Sequence, residues 1–422
     1  MAWWALFSGM FWLYIAVASA SAVGVQDTLI GMGLSVITYG GINRVLSRYA
    51  ARTGLTVHLF SRTLFGLLGS GLASLIFAAT AIYYAVFEGS IIAVAFQSYF
   101  GGDMIMWYAL VVLYAIPLAA GGVQNWLDKV NGYLLPVYIG GLVAVVVAST
   151  AIKGAPTNWI GEAATASALP GWITAFLIYM GVWIMMMYTF DYARMGKEKD
   201  EKFHGRFTFG SFFYFFTFVV NGLVGIYIMS AWQLGATETG VVEAFVNSLG
   251  LFGVIVILVS QTRINSASYF LASNNLESLA GEFNVRVPRI VWVLFVAALA
   301  FLFMLTNVLS YLLKALAWQG VFVTAWVAIA LVYIALHRNS PSLPEVRRVG
   351  VRRFSGGALA WTTASVVGIA LTEQTLIPLA AALAPAITVV LAGGLYYLST
   401  KRETPPSINF EDGHEHFADA LR

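Results

Sequence analysis

Apolar runs of about 20 residues follow one another along almost the whole chain, and a helix of that length spans a bilayer core roughly 30 Å thick. Of the 422 residues, 59% are hydrophobic and 10% are charged. An ordinary soluble domain has roughly 25% charged residues. Because no water-soluble core can bury this much apolar surface, the sequence predicts an all-α membrane protein without a separate soluble domain.

The apolar runs predict twelve transmembrane helices. We place them at 3–23, 26–50, 70–98, 104–122, 131–152, 169–192, 208–231, 241–272, 288–306, 309–337, 356–372 and 375–398. Lys and Arg in short loops stay on the cytoplasmic side, and with the N-terminus inside, 20 of the 23 basic residues fall on that side. The sequence thus predicts a multi-pass protein of the cell (inner) membrane with both termini cytoplasmic.

Two charged residues fall deep within these spans. Glu88 lies in the span at 70–98, and Arg263 lies in the span at 241–272. An isolated ion in the hydrocarbon core costs several kcal/mol, so each side chain needs a partner or a water-filled cavity. One interpretation is a solute pathway lined by both charges. The other is purely structural, with an ion pair between them or an arginine that reaches the interface along its alkyl chain.

Three further features lie within spans. Polar residues recur at helical spacing from Asn265 onward, which indicates a helix with one wet face. Close helix packing explains the small-residue run at 16–22, and so does a broken helix; both interpretations stay open. Trp183 lies in mid-span, two residues after Gly181, where its ring could close one side of a flat pocket.

The sequence lacks the motifs of enzymes and ATP-driven pumps. It has no cysteine, and its five histidines lie outside the deep parts of the spans. No phosphate-binding GxxxxGK[ST], zinc-binding HExxH or nucleophile GxSxG motif occurs. We therefore expect no catalytic activity, no cofactor, no metal site and no nucleic-acid partner, whereas the oligomeric state is not fixed by the sequence.

Three segments resemble the nucleobase–cation symporter 1 family, the purine–cytosine permease and hydantoin permease group. Residues 61–70 (SRTLFGLLGS), preceded by 52–54 (RTG), resemble the family's segment between helices 2 and 3. Residues 191–194 (DYAR) resemble its motif at the inner end of helix 6. Asn265 and the small polar residues after it resemble helix 8.

The resemblance implies a LeuT-like fold of two five-helix inverted repeats plus two C-terminal helices, with helices 1 and 6 discontinuous near the midplane. The first repeat would cover 1–152 and the second 153–338. The two extra helices would occupy 339–399, followed by a cytoplasmic tail at 400–422.

The resemblance also implies a secondary active transporter, or permease, that works by alternating access. Its partners would be the lipid bilayer and a small nitrogenous heterocycle such as a nucleobase, a hydantoin, allantoin or a pyrimidine vitamin precursor. Two alternatives stay open, an uncoupled facilitator or channel and a sodium symporter of the same family. A receptor that binds without flux is a third, although the short loops give it little to signal through.

Substrate-binding residues carry over from the family position by position. Tyr84 and Glu88 fit the family's ring-stacking Trp and hydrogen-bonding Gln in helix 3, and their spacing of four puts them on one helix face. Gly181 and Trp183 fit the Gly-Trp motif of helix 6, so that Tyr84 and Trp183 would hold a ring between them by offset stacking. Asn265 or Tyr269 of helix 8 would add a polar contact.

The expected ion site departs from the family. Sodium-coupled members hold Na⁺ with helix 1 carbonyls, here placed near Ala16 and Ser19, and with an adjacent Ser-Thr pair in helix 8. The aligned positions in this chain are Arg263 and Ile264, which offer no oxygen to a hard cation. We therefore expect Arg263 to replace the sodium. Glu88 would carry H⁺ as the coupling ion in place of Na⁺, or it would pair with a substrate that is cationic or rich in hydrogen-bond donors. A register in which Thr262 or Ser266 is a ligand stays open.

Overall fold

The computed structural model describes residues 2–121, 128–157, 169–306, 312–338, 343–347, 350–400 and 407–408. These residues form an all-α fold apart from one short strand pair, in which β1 (Leu343–Pro344) runs antiparallel to β2 (Ser407–Ile408). Each predicted span contains at least one helix, so the prediction of an all-α protein is confirmed. Most of the predicted tail lies outside the described residues.

The helices are numbered along the chain. The first are α1 (Phe11–Val23), α2 (Val25–Thr53), α3 (Val57–Phe100), α4 (Met104–Ala120) and α5 (Asp128–Lys153). Next come α6 (Gly171–Met180), α7 (Ile184–Ala193), α8 (Glu201–Phe203), α9 (Ser211–Tyr214), α10 (Asn221–Trp232) and α11 (Glu238–Leu249). The last are α12 (Leu251–Glu282), α13 (Arg289–Met304), α14 (Leu312–Leu336), α15 (Gly356–Glu373), α16 (Pro378–Ala382) and α17 (Ala384–Thr400). Short 3₁₀ segments at Ala2–Ser8 and Glu198–Asp200 and π-helical segments at His204–Thr208 and Phe215–Val220 complete the set.

Length and apolar composition identify the membrane-spanning helices among the described residues. Seven helical segments are long and apolar enough to cross a membrane, and the bent pair α6–α7 brings the number to eight. The shorter helices α4, α13 and α17 are also apolar. The chain is therefore a multi-pass membrane protein, and the number of twelve spans stays a prediction.

The first span is broken near its start. The 3₁₀ segment ends at Ser8. Gly9 and Met10 follow it, and regular α-helix begins only with α1. A Cβ atom on Gly9 would lie 2.8 Å from Cδ1 of Ile264, so the absence of a side chain lets α12 approach the break. Of the two interpretations of the run at 16–22, the structure supports close packing. That run is regular helix whose small side chains allow close packing; a Cβ on Gly222 would lie 3.0 Å from the Cβ of Ala16.

The sixth span is broken as the family resemblance implies. Helices α6 and α7 meet at an angle of 45° across Gly181, Val182 and Trp183. Helix α14 runs directly against this break, because a Cβ on Gly320 would lie only 3.0 Å from the Cα of Gly181.

The predicted span at 241–272 is two helices rather than one. Helix α11 ends at Leu249, Gly250 adopts a φ of 56°, and α12 then continues to Glu282. A left-handed φ is open to glycine without the clash that a Cβ would cause, which explains a sharp turn inside an apolar run. The prediction of a single long helix is therefore wrong at its start and too short at its end.

Helix α3 is the longest helix, and it starts earlier than predicted. Thr56 caps it by accepting a hydrogen bond from the Leu59 N–H at 3.1 Å, and Gly66, with a φ of 79°, interrupts it. After the interruption, the N–H groups of Leu67 and Leu68 donate to the carbonyls of Arg352 and Arg353, each at 3.1 Å. The segment at 61–70 therefore contains a kink, and two backbone hydrogen bonds join it to the chain before α15.

Two long helices position the polar interior of the protein. Helices α3 and α12 pack against each other along their length, and the 3₁₀ segment Ala2–Ser8 packs on α12 as well. Helix α12 thus presents one side to α3 and another to the broken start of the chain.

We expect Gly66→Ala to destabilise the protein by roughly 1–3 kcal/mol, because an L-residue is strained at this φ. The new Cβ would also lie 2.5 Å from the Arg352 carbonyl oxygen. Thermal unfolding of the purified protein in detergent, followed by tryptophan fluorescence, measures the loss. Gly140→Ala is the matched control, since no atom lies within 4 Å of its Cβ position. Equal thermal unfolding midpoints for the two variants would contradict the expected strain of an L-residue at position 66.

Candidate functional site

Glu88 lies at the centre of the α3–α12 packing and is only 1% exposed. Its Oε2 atom has no hydrogen-bond partner among the described residues. The Ser268 hydroxyl of α12 lies beside the carboxyl group. Four phenol groups from four helices lie within electrostatic range of it: Tyr84 of α3, Tyr114 of α4, Tyr188 of α7 and Tyr269 of α12. The site is thus a carboxyl group surrounded by hydroxyl groups.

A row of unpaired polar groups on α12 faces the same region. Both amide atoms of Asn265 and of Gln261 are buried without hydrogen-bond partners in the described structure. A Cβ on Gly89 would lie 3.6 Å from Nδ2 of Asn265, so this amide sits directly against α3 beside Glu88. Buried polar groups are normally paired, and unpaired groups that converge on one place indicate a site for water or solute.

Aromatic side chains of several helices lie near the Glu88 carboxyl group. Tyr84 is one turn before Glu88, and Gln319 of α14 donates a hydrogen bond to its hydroxyl at 3.4 Å. Its ring meets the Phe11 ring of α1 edge-on, with centroids 5.7 Å apart. Trp183 lies in the α6–α7 break, buried, with its indole N–H unpaired, and its ring is 6.5 Å from that of Tyr39.

The structure therefore brings some of the predicted substrate residues together and places the others apart. Tyr84, Glu88, Asn265 and Tyr269 converge where α3 meets α12, as the spacing in the sequence predicts. Trp183 and Gly181 occupy the break next to α14. No ring contact joins Tyr84 to Trp183 among the described aromatic pairs; Tyr39 lies near both. Sequence reasoning missed Tyr39, Tyr114, Tyr188, Gln261, Ser268 and Gln319, because only packing brings their helices to this point.

Arg263 lies on another side of α12, away from Glu88. It is 1% exposed, and its Nη2 donates to the Trp4 carbonyl at 3.1 Å. The ion pairs of the described residues do not join it to Glu88, so the interpretation of a structural pair between these two charges is wrong. At 100° per residue, positions 260, 263 and 264 point to the 3₁₀ segment, and positions 261, 265 and 268 point to α3.

Donors from several elements occupy the carbonyl oxygens of the broken first span. Besides the contact of Arg263 with Trp4, the Trp12 indole donates to the Leu6 carbonyl at 2.6 Å. The Asn221 amide donates to the Phe7 carbonyl at 2.7 Å, and the Ser260 hydroxyl donates to the Ser8 carbonyl. Protein N–H and O–H groups thus reach four carbonyls of the segment Trp4–Ser8, and that of Leu6 also accepts from the Gly9 N–H.

Next to Arg263, the hydroxyl groups that could bind a cation make hydrogen bonds within α12 and to α4. The Ile264 side chain fills the space at Gly9. Thr262 is hydrogen-bonded with the Tyr114 hydroxyl at 3.0 Å, and Ser266 donates to the Thr262 carbonyl at 2.6 Å. Both hydroxyls thus have a partner outside the 3₁₀ segment, and each oxygen keeps a lone pair that can accept or coordinate.

Ala16 and Ser19 lie within regular helix and are not gathered with Arg263. The Ser19 hydroxyl is hydrogen-bonded with that of Thr28 in α2 at 3.1 Å, and Ala16 packs on α10. The carbonyls that accept from side-chain donors at the break lie in Trp4–Ser8 and not near Ala16 and Ser19. The signal that could have located the break is Gly9, the glycine nearest to the first aromatic run.

A charged cluster closes the end of the protein at which the basic loops gather, here called the basic end. Arg62 of α3 donates to Glu282 Oε1 of α12 at 2.5 Å and to the Val346 carbonyl at 2.7 Å. His58 is hydrogen-bonded with the same Glu282 oxygen at 2.9 Å and with Ser74 at 2.8 Å. This basic-end cluster of His58, Arg62 and Glu282 ties α3, α12 and the chain before α15 together.

The C-terminal end of α7 contacts the same end of the protein. Asp191, the first residue of the DYAR segment, accepts a hydrogen bond from the Val57 N–H at 2.8 Å and so binds the start of α3. Arg52 at the end of α2 forms an ion pair with Glu201 of α8 at 2.5 Å. Two of the three segments that carry the family resemblance therefore contribute to the basic end, whereas the third, which begins at Asn265, lies near Glu88.

A cavity of about 700 Å³ lies at the opposite end of the membrane domain. Ala20 of α1, Lys153 of α5, and Met229 and Gln233 at the end of α10 contribute to its lining. None of the predicted site residues lines it, so it is separate from the polar centre around Glu88.

Sequence comparison finds no family model that matches the chain and no matching curated protein. Structural comparison does find relatives. Mhp1, described as a nucleobase-cation-symport-1 family transporter in a closed conformation with bromovinylhydantoin bound, is 15% identical and superposes with a TM-score of 0.75, over 98% of this chain and 95% of that chain. Inward-facing Mhp1 gives 0.69 at 14% identity, over 99% and 94%.

Two other transporters have a similar structure. A Na⁺-coupled sialic acid symporter in a substrate-bound outward-open state is 13% identical with a TM-score of 0.65, over 97% of this chain and 90% of that one. A manganese transporter of Eremococcus coleocola is 12% identical with a TM-score of 0.60, over 96% and 95%. The fold implied by the resemblance in sequence is thus confirmed: this chain has the fold of a nucleobase-cation-symport-1 family transporter.

Proposed function

We propose that the chain is a secondary active transporter of a small nitrogenous heterocycle and that it works by alternating access. One observation carries the proposal: a carboxyl group without a hydrogen-bond partner for its Oε2, Glu88, lies deep within the membrane fold among unpaired polar groups and aromatic rings. A buried ionisable group in a membrane protein marks a pathway or a site. Breaks in two spans are the places where such folds bind solute.

The heterocycle and the site roles extend this proposal. The relative with the highest similarity reported above has a hydantoin derivative bound, which supports a flat ring as solute. In this proposal Tyr84 and Trp183 bound the ring, with Gly181 giving room at the break, and Asn265 and Tyr269 bind its polar edges. Membership of the nucleobase–cation symporter 1 family is part of the proposal, as are the two repeats at 1–152 and 153–338.

The coupling ion in this proposal is H⁺, carried by Glu88, and not Na⁺. The guanidinium of Arg263 donates to the Trp4 carbonyl at the broken first span, and Ile264 beside it offers no oxygen. A tethered, permanent cation there would stand in for a bound sodium ion. The basic end would face the cytoplasm of a cell (inner) membrane, with both termini inside.

We expect uptake of nucleobases to be independent of sodium. The protein is reconstituted into proteoliposomes, and uptake of radiolabelled cytosine, uracil, adenine and hydantoin is compared in Na⁺ and K⁺ buffers. Initial rates should agree within about twofold, because no sodium site has to be filled. Arg263→Ala should lower uptake at least about tenfold by removing a buried charged donor, whereas the exposed Arg206→Ala should not. A tenfold stimulation of uptake by a Na⁺ gradient would contradict sodium-independent transport.

We expect Glu88→Gln to abolish accumulation driven by a pH gradient while it leaves exchange of internal for external solute intact. Gln is nearly isosteric with Glu but cannot take up a proton, so coupling is lost before binding is lost. The measurement is concentrative uptake at acidic external pH beside counterflow at equal pH. Glu373→Gln, a change at an exposed ion pair with Lys314, is the control. An unchanged pH dependence in Glu88→Gln would rule out the coupling role, and absence of counterflow in the wild type would favour an uncoupled channel.

We expect Glu282→Gln to open the basic end. Ala81 is fully buried on the stripe of α3 between the basic-end cluster and Glu88. Because the chain has no cysteine, Ala81→Cys supplies a single thiol for labelling by a water-soluble maleimide. Loss of hydrogen bonds to a charged group, worth about 1.5–3 kcal/mol, should raise labelling by tenfold or more. Glu373→Gln in the same background should not, and equal labelling in all three proteins would show that the cluster is no gate.

A further inference from the structure

We propose that the transported heterocycle presents an amidine edge, meaning a ring nitrogen beside an exocyclic amino group, and that this edge shares one proton with Glu88. The inference rests on the proposed function, to which it adds the chemical class of the substrate and the place of the coupled proton.

The charge balance of the site is the first argument. Glu88 is 1% exposed, and the ion pairs of the described residues give it no cationic partner. Arg263 uses a different side of α12 and donates to the Trp4 carbonyl. The polar groups that lie near Glu88 on the surrounding helices are neutral, namely those of Tyr84, Tyr114, Tyr188, Tyr269 and Ser268. A carboxylate at this depth therefore needs one positive charge that the chain itself does not supply.

The geometry of a carboxyl group is the second argument. With one proton, its two oxygens present a donor and an acceptor side by side. An amidine edge presents an acceptor ring nitrogen and a donor amine at the same spacing, so two parallel hydrogen bonds form. Because the ring nitrogen is basic, the proton can pass to it, and the contact becomes a charge-assisted pair, which is stronger than a neutral one. The positive charge that Glu88 needs is then the coupled proton itself.

An oxo edge does not have this property. Uracil, hypoxanthine and hydantoin place an N–H beside a carbonyl, and neither group accepts a proton near neutral pH. They can form two neutral hydrogen bonds with a protonated carboxyl group, but not an ion pair. The carboxyl group of Glu88 therefore discriminates by basicity, which an amide side chain at this position could not do.

The neighbours of Glu88 complete a planar site for such a ring. Tyr84 is one helical turn away on the same face of α3, where its phenol ring can lie along the heterocycle. The Asn265 amide, with a free donor and a free acceptor, lies beside Gly89 on the α12 side. Its two groups can bind an oxo group and a ring N–H on the rest of the heterocycle.

Matched pairs of nucleobases test the inference. Dissociation constants for cytosine and uracil, and for adenine and hypoxanthine, are measured by isothermal titration on the purified full-length protein, with hydantoin as a fifth compound. Each amino compound should bind at least about tenfold more tightly than its oxo partner. Its affinity should fall by up to tenfold per pH unit on the alkaline side, because one proton is bound with it.

Two variants complete the experiment. In Glu88→Gln, the two dissociation constants within each pair should differ by about threefold or less, and the affinity should no longer depend on pH. Glu373→Gln should keep the wild-type ratios and pH dependence. Equal or tighter binding of the oxo compounds or of hydantoin by the wild type would overturn the amidine edge and leave the transporter proposal standing. If none of the five compounds binds and none is taken up by proteoliposomes, the proposed function falls together with the inference.

Discussion

The interior of a membrane offers no water to pair with polar groups, and the rest of this structure depends on how that demand is met. A break in a spanning helix frees backbone carbonyls, which must find donors within the protein. In the first span the donors are side chains, among them Arg263 for Trp4 and Asn221 for Phe7. Glu88 is the contrasting case, since the protein leaves its Oε2 without a partner among the described residues. The first arrangement stabilises the fold, and the second leaves room for a solute and a proton.

Helix α12 separates these two arrangements. A helix turns 100° per residue, so that residues two apart in sequence point in nearly opposite directions. Arg263 and Asn265 follow this rule: the arginine reaches the 3₁₀ segment and the asparagine faces α3. A fixed cation and a titratable carboxyl group can thus lie within one membrane core without neutralising each other. If they did pair, neither a tethered cation at the break nor a free carboxyl group would remain.

The sequence predicted the broad architecture and one half of the site, and the errors have identifiable causes. Apolar length predicted the helical membrane fold, although the number of twelve spans stays a prediction, and a spacing of four placed Tyr84 and Glu88 together on α3. For the small residues near Ala16 the sequence left close packing and a broken helix open, because small residues allow either, and the structure has regular helix there. The helix boundary at Gly250 was missed, because a single glycine in an apolar run resembles any other helical glycine until its φ is known.

By itself, the sequence determined that the chain is a membrane protein and roughly where it crosses the bilayer. It also determined which two residues bring charge into the membrane core. These properties follow from hydrophobic length and from the cost of a buried ion, and both are local to the chain. Only the tertiary structure decided that Glu88 and Arg263 do not pair, and that tyrosines from α4 and α7 face Glu88. Such contacts join residues far apart in sequence, and they depend on how whole helices pack, which no local pattern encodes.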